Sequence, residues 1–160
     1  MEKPDDMLAL IARQEQTLQF DSFDNRTALA LGLTLVELAR ADRLPVTIDI
    51  TRDGQVLFHH ALDGAANDQA NWIRRKSNLV KLTGHSSFYT HTEVKSQGGD
   101  IDAIPTLDPI DYAAHGGAFP LTVKGVGMVG TITVSGLPGA DDHALVVRAL
   151  ASHLKRDVAL

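Results

Sequence analysis

Apolar positions along the chain change their spacing several times, and each change marks an element. Between residues 5 and 19, Met7, Leu8, Leu10, Ile11 and Leu18 fall near one helical face, with Arg13, Gln14, Glu15 and Gln16 as its polar complement. The run Phe20-Asp-Ser-Phe-Asp-Asn breaks that helix. Asp24 is placed to cap a second helix to about Ala41, because a carboxylate there can accept from the free amides of the first turn. From Ala28 to Ala39 the second helix is apolar almost all round, interrupted by Thr34 and Glu37. A helix without a wide polar face needs more than one partner surface, so part of it is expected to be buried between subunits.

The period then shortens to two. Pro45-Val-Thr-Ile-Asp-Ile-Thr and Gln55-Val-Leu-Phe-His-His-Ala alternate around Arg52-Asp53-Gly54, which reads as a hairpin. Residues 67–83 return to helical spacing through Trp72, Ile73, Leu79, Val80 and Leu82. Gly84 is suited to end that helix, and Ser86 or Ser87 to start a short one carrying Phe88. Residues 96–111 hold Gly98-Gly99, Pro105, Pro109 and four aspartates without a cation, the composition of an acidic surface loop. Two further strands follow, Phe119–Lys124 and Val126–Val134, joined at Gly125. A last helix runs to about Lys155 on the stripe Val146, Val147, Leu150, Ala151 and Leu154, with Asp141 as its expected cap. Strands joined by tight turns are antiparallel, so the order α-α-β-β-α-α-β-β-α predicts an α+β fold, one domain over residues 1–160, with helices covering a sheet.

Composition narrows the function. Fifteen Lys and Arg against twenty Asp and Glu give a net charge of −5, which excludes a surface built for nonspecific nucleic-acid or anionic-lipid binding. The absence of cysteine excludes disulfides, thiolate metal sites and a cysteine nucleophile. No apolar run is long enough to span a bilayer, and the acidic start Met-Glu-Lys-Pro-Asp-Asp lacks a leader, so the cytoplasm is the expected compartment. The seven histidines show no recognised metal-ligand spacing: His59 and His60 leave opposite faces of a strand, and His85 and His91 are six residues apart. No metal site is therefore expected. Neither a nucleophile elbow, a dinucleotide fingerprint nor a phosphate loop is present.

Charge is segregated in the middle of the chain. Arg74, Arg75, Lys76, Lys81 and Lys95 face only Glu93 between residues 71 and 95, whereas 96–115 carries Asp100, Asp102, Asp108 and Asp111. Two solvated faces that attract each other would explain this, as would a cationic helix that receives a small acidic ligand. His115-Gly116-Gly117 precedes a strand. Glycines there either open the backbone to a ligand or admit a closely crossing helix.

The run His115-Gly-Gly-Ala-Phe-Pro-Leu-Thr-Val, then Gly127-Met-Val-Gly-Thr-Ile-Thr-Val-Ser-Gly-Leu-Pro, then Asp141-Asp-His and a helix, resembles the haem-degrading-domain family, also called GlcG/HbpS-like. Arg75-Lys76 sits where that family carries a basic position, and the Trp72–Ser87 segment is similar to its mostly uncharacterised branch. The resemblance implies a profilin-like α-β-α arrangement around a five-stranded antiparallel sheet and assembly into symmetric homo-oligomers. It implies a small-ligand-binding protein, with haem or another acidic molecule as the ligand. Two rival readings are an oxidative haem-degrading enzyme, in which one histidine would hold the iron, and a scaffold with no small ligand. The candidate ligand-binding residues are His115, Gly116, Gly117, Arg74, Arg75 and Lys76.

Overall fold

A computed structural model describes residues 3–159. Helix α1 (Pro4–Thr17) is followed by α2 (Asn25–Ala41), the hairpin β1 (Thr47–Arg52) and β2 (Gln55–Ala61), α3 (Gln69–Thr83), α4 (Ser87–Ser96), the hairpin β3 (Ala118–Val123) and β4 (Gly127–Ser135), and α5 (Gly139–Leu154). The element order is the one read from periodicity, and local chemistry sets most of the boundaries. Asp24 Oδ1 accepts from the Thr27 amide at 2.8 Å while Thr27 Oγ1 accepts from the Asp24 amide at 3.3 Å, a reciprocal cap on α2. Gly84 closes α3 at φ 74°, and Ser86 Oγ opens α4 by accepting from the Tyr89 amide at 3.2 Å. Asp53 and Gly54, at φ 49° and 82°, make the two-residue turn that matches strand twist.

The last helix starts differently from the expectation. Pro138 occupies the position before α5 and no side chain caps it; Asp141 lies within the first turn and is exposed. The neighbouring Asp142 is buried and turns back to accept from the Gly136 and Leu137 amides at 3.3 and 3.1 Å.

The sheet is antiparallel and has four strands in the order β2-β1-β4-β3, not five. Beyond β3 the described residues contribute only a single parallel bridge, Phe20 to Val123, through Phe20 N to Thr122 O at 2.8 Å and Lys124 N to Phe20 O at 2.9 Å. The connection between α1 and α2 is too short to extend that bridge into a strand, because Asp24 already caps α2.

The sheet's two faces differ chemically. Ile48, Ile50, Ile132, Val134, Phe119 and Leu121 point to the side of α2 and α5 and form the main core with Leu31, Leu35, Val146 and Leu150. The alternate residues Thr47, Asp49, Thr131, Thr133 and Ser135 are also buried, under α3, where Ser77 Oγ and Thr133 Oγ1 are 2.9 Å apart. This gives helices on both sheet faces, with α1 packed on α4 at the outside of the α3 layer.

One buried histidine ties the layers to the chain's end. His143 Nε2 donates to Gln14 Oε1 at 2.8 Å, and Gln14 Nε2 donates to Ala159 O at 2.8 Å, which fixes the amide's orientation. Nδ1 of His143 is buried with no partner among the described residues, between the rings of Phe88 and Phe119. Burial pushes this imidazole down to about 4, so its neutral form belongs to the folded state. Its contribution is complete above about pH 6.5 and is lost as pH falls through about 4, because the unfolded imidazole takes the proton first. Relative to His143→Gln, the wild type should lose about 3 kcal/mol over that interval in denaturant titrations. Parallel pH profiles for the two proteins would refute this role.

Candidate functional site

The proposed site residues divide into two groups once α3 is placed. Helical rotation directs Arg74 and Arg75 to the surface, against the 97–117 loop. Arg74 donates to Asp111 Oδ1 at 3.0 Å and to Ile110 O at 2.8 Å; Arg75 donates to Pro109 O at 3.0 Å and lies 4.5 Å over the Trp72 ring. The cationic helix face thus attracts the acidic loop, and both arginines are spent on it.

Lys76 turns inward. It is 2% exposed, so the expectation of three cations on one open face is corrected. It lies three residues after Ile73 and four before Val80, on the helix's buried stripe. Its Nζ reaches three acceptors from distant segments: Val134 O at 2.7 Å, Gly116 O at 3.0 Å and Asp142 Oδ2 at 3.4 Å. Burial lowers the Lys76 ammonium's pKa, opposed by the Asp142 charge. The same burial raises the Asp142 carboxyl to about 6, opposed by Lys76 and by the two loop amides.

Gly116 and Gly117 exist for this packing. A Cβ on Gly116 would collide with the carbonyl of Gly139 at the start of α5. Gly117 has φ 132°, and a Cβ there would meet Val134 O and come within 2.5 Å of Lys76 Nζ. Of the two readings of the glycine pair, close approach of a helix is what the geometry shows.

Beside the buried pair lies a cavity of about 350 Å³. Gln69, Trp72 and Lys76 of α3 form one wall, His115 and Gly116 a second, and the Ser135–Gly139 turn with Asp142 a third. His115 Nε2 is 3.0 Å from Asp102 Oδ1, and its ring meets Trp72 edge to face at 5.3 Å between centroids. Of the six residues singled out in the sequence, His115, Gly116 and Lys76 line this cavity, Gly117 supports it from behind, and Arg74 and Arg75 lie outside it. Asp142 was missed, since in the sequence it is one of two adjacent aspartates at a helix start. Trp72 could have been found, because it stands one helical turn before Lys76 on the same side.

Breaking the buried pair from one side leaves a charge without compensation. Lys76→Met should destabilise the fold by about 3–5 kcal/mol at pH 7.5 in urea titrations. The penalty should shrink toward pH 5, where the Asp142 carboxyl is neutralised more readily. A cost below about 1 kcal/mol would show that the pair is not what holds these segments.

A family model described as haem degrading protein HbpS-like matches residues 23–151. A UPF0303 protein of Streptomyces coelicolor is 50% identical over 143 residues, 89% of this chain and 90% of its own. The crystal structure of Ybr137w protein superposes with a TM-score of 0.85 at 27% identity, covering 93% of this chain and 90% of that one. The crystal structure of a PduOC:heme complex shares the fold with a TM-score of 0.67 at 17% identity, covering 82% of this chain and 94% of that one.

Proposed function

The chain belongs to the HbpS-like family of haem-degrading proteins, and from that premise we propose that it is a homo-oligomeric small-ligand-binding protein whose cavity between α3 and α5 takes a compact organic acid. One observation carries the reading: the wall of that cavity holds a buried ion pair, an imidazole and the chain's single tryptophan together.

Haem itself suits this cavity poorly. A porphyrin needs cations for its propionates and broad apolar walls. Here Lys76 is engaged by three acceptors, Arg74 and Arg75 are held outside, and only Trp72, Leu137 and Pro138 supply apolar wall. The volume of about 350 Å³ also lies near the lower end of small-molecule sites, about 300–1,000 Å³. What the wall does offer are donors: the Trp72 indole, the Gln69 amide and the uncapped start of α5 at Gly139. Such a set favours a carboxylate. The ion pair would hold the wall in place while the donors bind the ligand.

Trp72 makes the reading directly testable, because its fluorescence reports on one cavity alone. Titration with a panel of small mono- and dicarboxylates should change its emission saturably for at least one of them. His115→Ala, which removes the ring packed on Trp72 in the cavity wall, should weaken that binding by about tenfold. Emission indifferent to every acid, or binding equal in the variant, would overturn the assignment.

Self-association draws its support from α2, whose Leu29 and Leu33, one turn apart, are 51% and 49% exposed. A second copy of the chain would cover them. Light scattering at micromolar concentration should then give an oligomer, and Leu29→Lys with Leu33→Lys a smaller, equally helical species. A wild-type monomer under those conditions would end this part of the reading.

A further inference from the structure

We propose that the groove between the β1–β2 hairpin and α3 is a hydrolytic site, in which His59, oriented by Asp49, acts as general base on a water molecule that attacks a small anionic ester. Asp49 and His59 face each other across β1 and β2, and both point to the α3 side of the sheet. Asp49 is buried and each of its oxygens is engaged: Thr51 Oγ1 donates to Oδ1 at 2.7 Å, and His59 Nδ1 donates to Oδ2 at 2.8 Å. A carboxylate only accepts, so the Nδ1 proton is fixed and the neutral ring keeps its lone pair on Nε2. Nε2 has no partner among the described residues, and the half-exposed ring borders the groove. A buried carboxylate that holds an imidazole in one tautomer is the arrangement that makes histidine an effective base.

The backbone is shaped around this pair. Ile50 faces Phe58 but Thr51 faces Val56, so β2 carries one extra residue, Leu57. In an unbroken strand Val56 and His59, three positions apart, would leave opposite faces. The bulge brings both to the groove, beside Thr51.

A second, independent feature addresses the same space. Thr131 of β4 is 2% exposed and lines the groove, yet its hydroxyl has no partner among the described residues. The neighbouring hydroxyls are occupied, Thr51 by Asp49 and Ser77 by Thr133 at 2.9 Å. Thr131 therefore has a donor to offer a ligand. Lys81 of α3 is likewise without a partner among the described residues, whereas Arg74 on the same wall is held by Asp111. Asp49 is the one acid lining the groove and its oxygens are taken, so the free charge there is positive.

These groups match ester hydrolysis by water. His59 Nε2 takes a proton from water as the water oxygen bonds to the ester carbonyl carbon, and Thr131 Oγ1 donates to the oxyanion that forms. The bond from that carbon to the leaving oxygen then breaks, and Nε2 returns the proton to the leaving oxygen, giving acid and alcohol. Lys81 attracts a carboxylate elsewhere on the substrate. The groove, about 230 Å³, is smaller than most small-molecule sites, about 300–1,000 Å³, so the ester is short. The inference stands apart from the small-acid reading of the α3–α5 cavity, with which this site shares no residue.

The probes are 4-acetoxybenzoate, which carries a carboxylate, and neutral phenyl acetate, with release of the phenolic product followed by ultraviolet absorption. The purified chain should hydrolyse 4-acetoxybenzoate saturably and without an initial burst, since no acyl group is held by the protein. His59→Gln, at a half-exposed position, should lower kcat/KM by about hundredfold or more. His60→Gln, on the opposite face of the same strand, should leave it unchanged. Asp49→Asn should cost about as much as His59→Gln, and nitrogen NMR of the His59 ring should show the proton moved from Nδ1 to Nε2, which a loss of packing alone would not produce. Thr131→Val should lower kcat by about tenfold or more with little change in KM. Lys81→Gln should raise KM for 4-acetoxybenzoate and not for phenyl acetate. Absence of saturable hydrolysis, an equal rate in His59→Gln, or a burst stoichiometric with the chain would each overturn the proposal.

Discussion

Four separate stretches of chain meet at one ammonium group. Lys76 comes from the middle of α3, Gly116 from the end of the long loop, Val134 from β4 and Asp142 from α5. An ammonium with three donors accommodates acceptors arriving from three directions, which a planar guanidinium would not match. Asp142 passes the constraint on, because its carboxylate also fastens the amides of Gly136 and Leu137 in the turn that walls the α3–α5 cavity. The site therefore inherits its shape from a contact that no ligand needs to touch. Gly117 is part of the same arrangement, since any side chain at its position would push against Nζ.

The division between the sheet's faces explains why such a group is tolerated. The face toward α2 and α5 is apolar, and an ammonium there would lack side-chain acceptors. The face toward α3 is lined by threonines, a serine and Asp49; Asp49 pairs with Thr51 and His59, and Thr133 with Ser77. On that polar side the Lys76 ammonium finds its acceptors in the Val134 and Gly116 carbonyls and Asp142.

Local physics made the fold legible in the sequence, and long-range pairing hid part of the site. Asp24, Gly84 and Ser86 act through neighbours within a few residues, so capping preference located the first two helix ends and narrowed the third to Ser86 or Ser87. The hairpins were readable for the same reason, as alternation and turn residues occur together. Lys76 and Asp142 are 66 positions apart, and no periodicity connects them. A stricter use of helical spacing would have moved Lys76 off the surface, since Ile73 and Val80 share its stripe while Arg74 and Arg75 do not. The absent fifth strand is a similar case: a family pattern suggested it, but Asp24 begins α2 too soon after Phe20 for a strand to form.

That single bridge has a consequence for how the sheet can meet other chains. A strand at a sheet's border exposes unpaired backbone groups that can recruit a foreign strand. Phe20 takes up the Thr122 carbonyl and the Lys124 amide, and its ring is buried, so the β3 border is plugged at its C-terminal end by one residue. Among the described residues, the opposite border, β2, has no such bridge. With Phe20 at one end of β3 and Ser87 Oγ bonded to the Ala118 backbone at the other, strand addition, whether in misassembly or in recognition of an extended peptide, meets an obstacle at both ends of the β3 border.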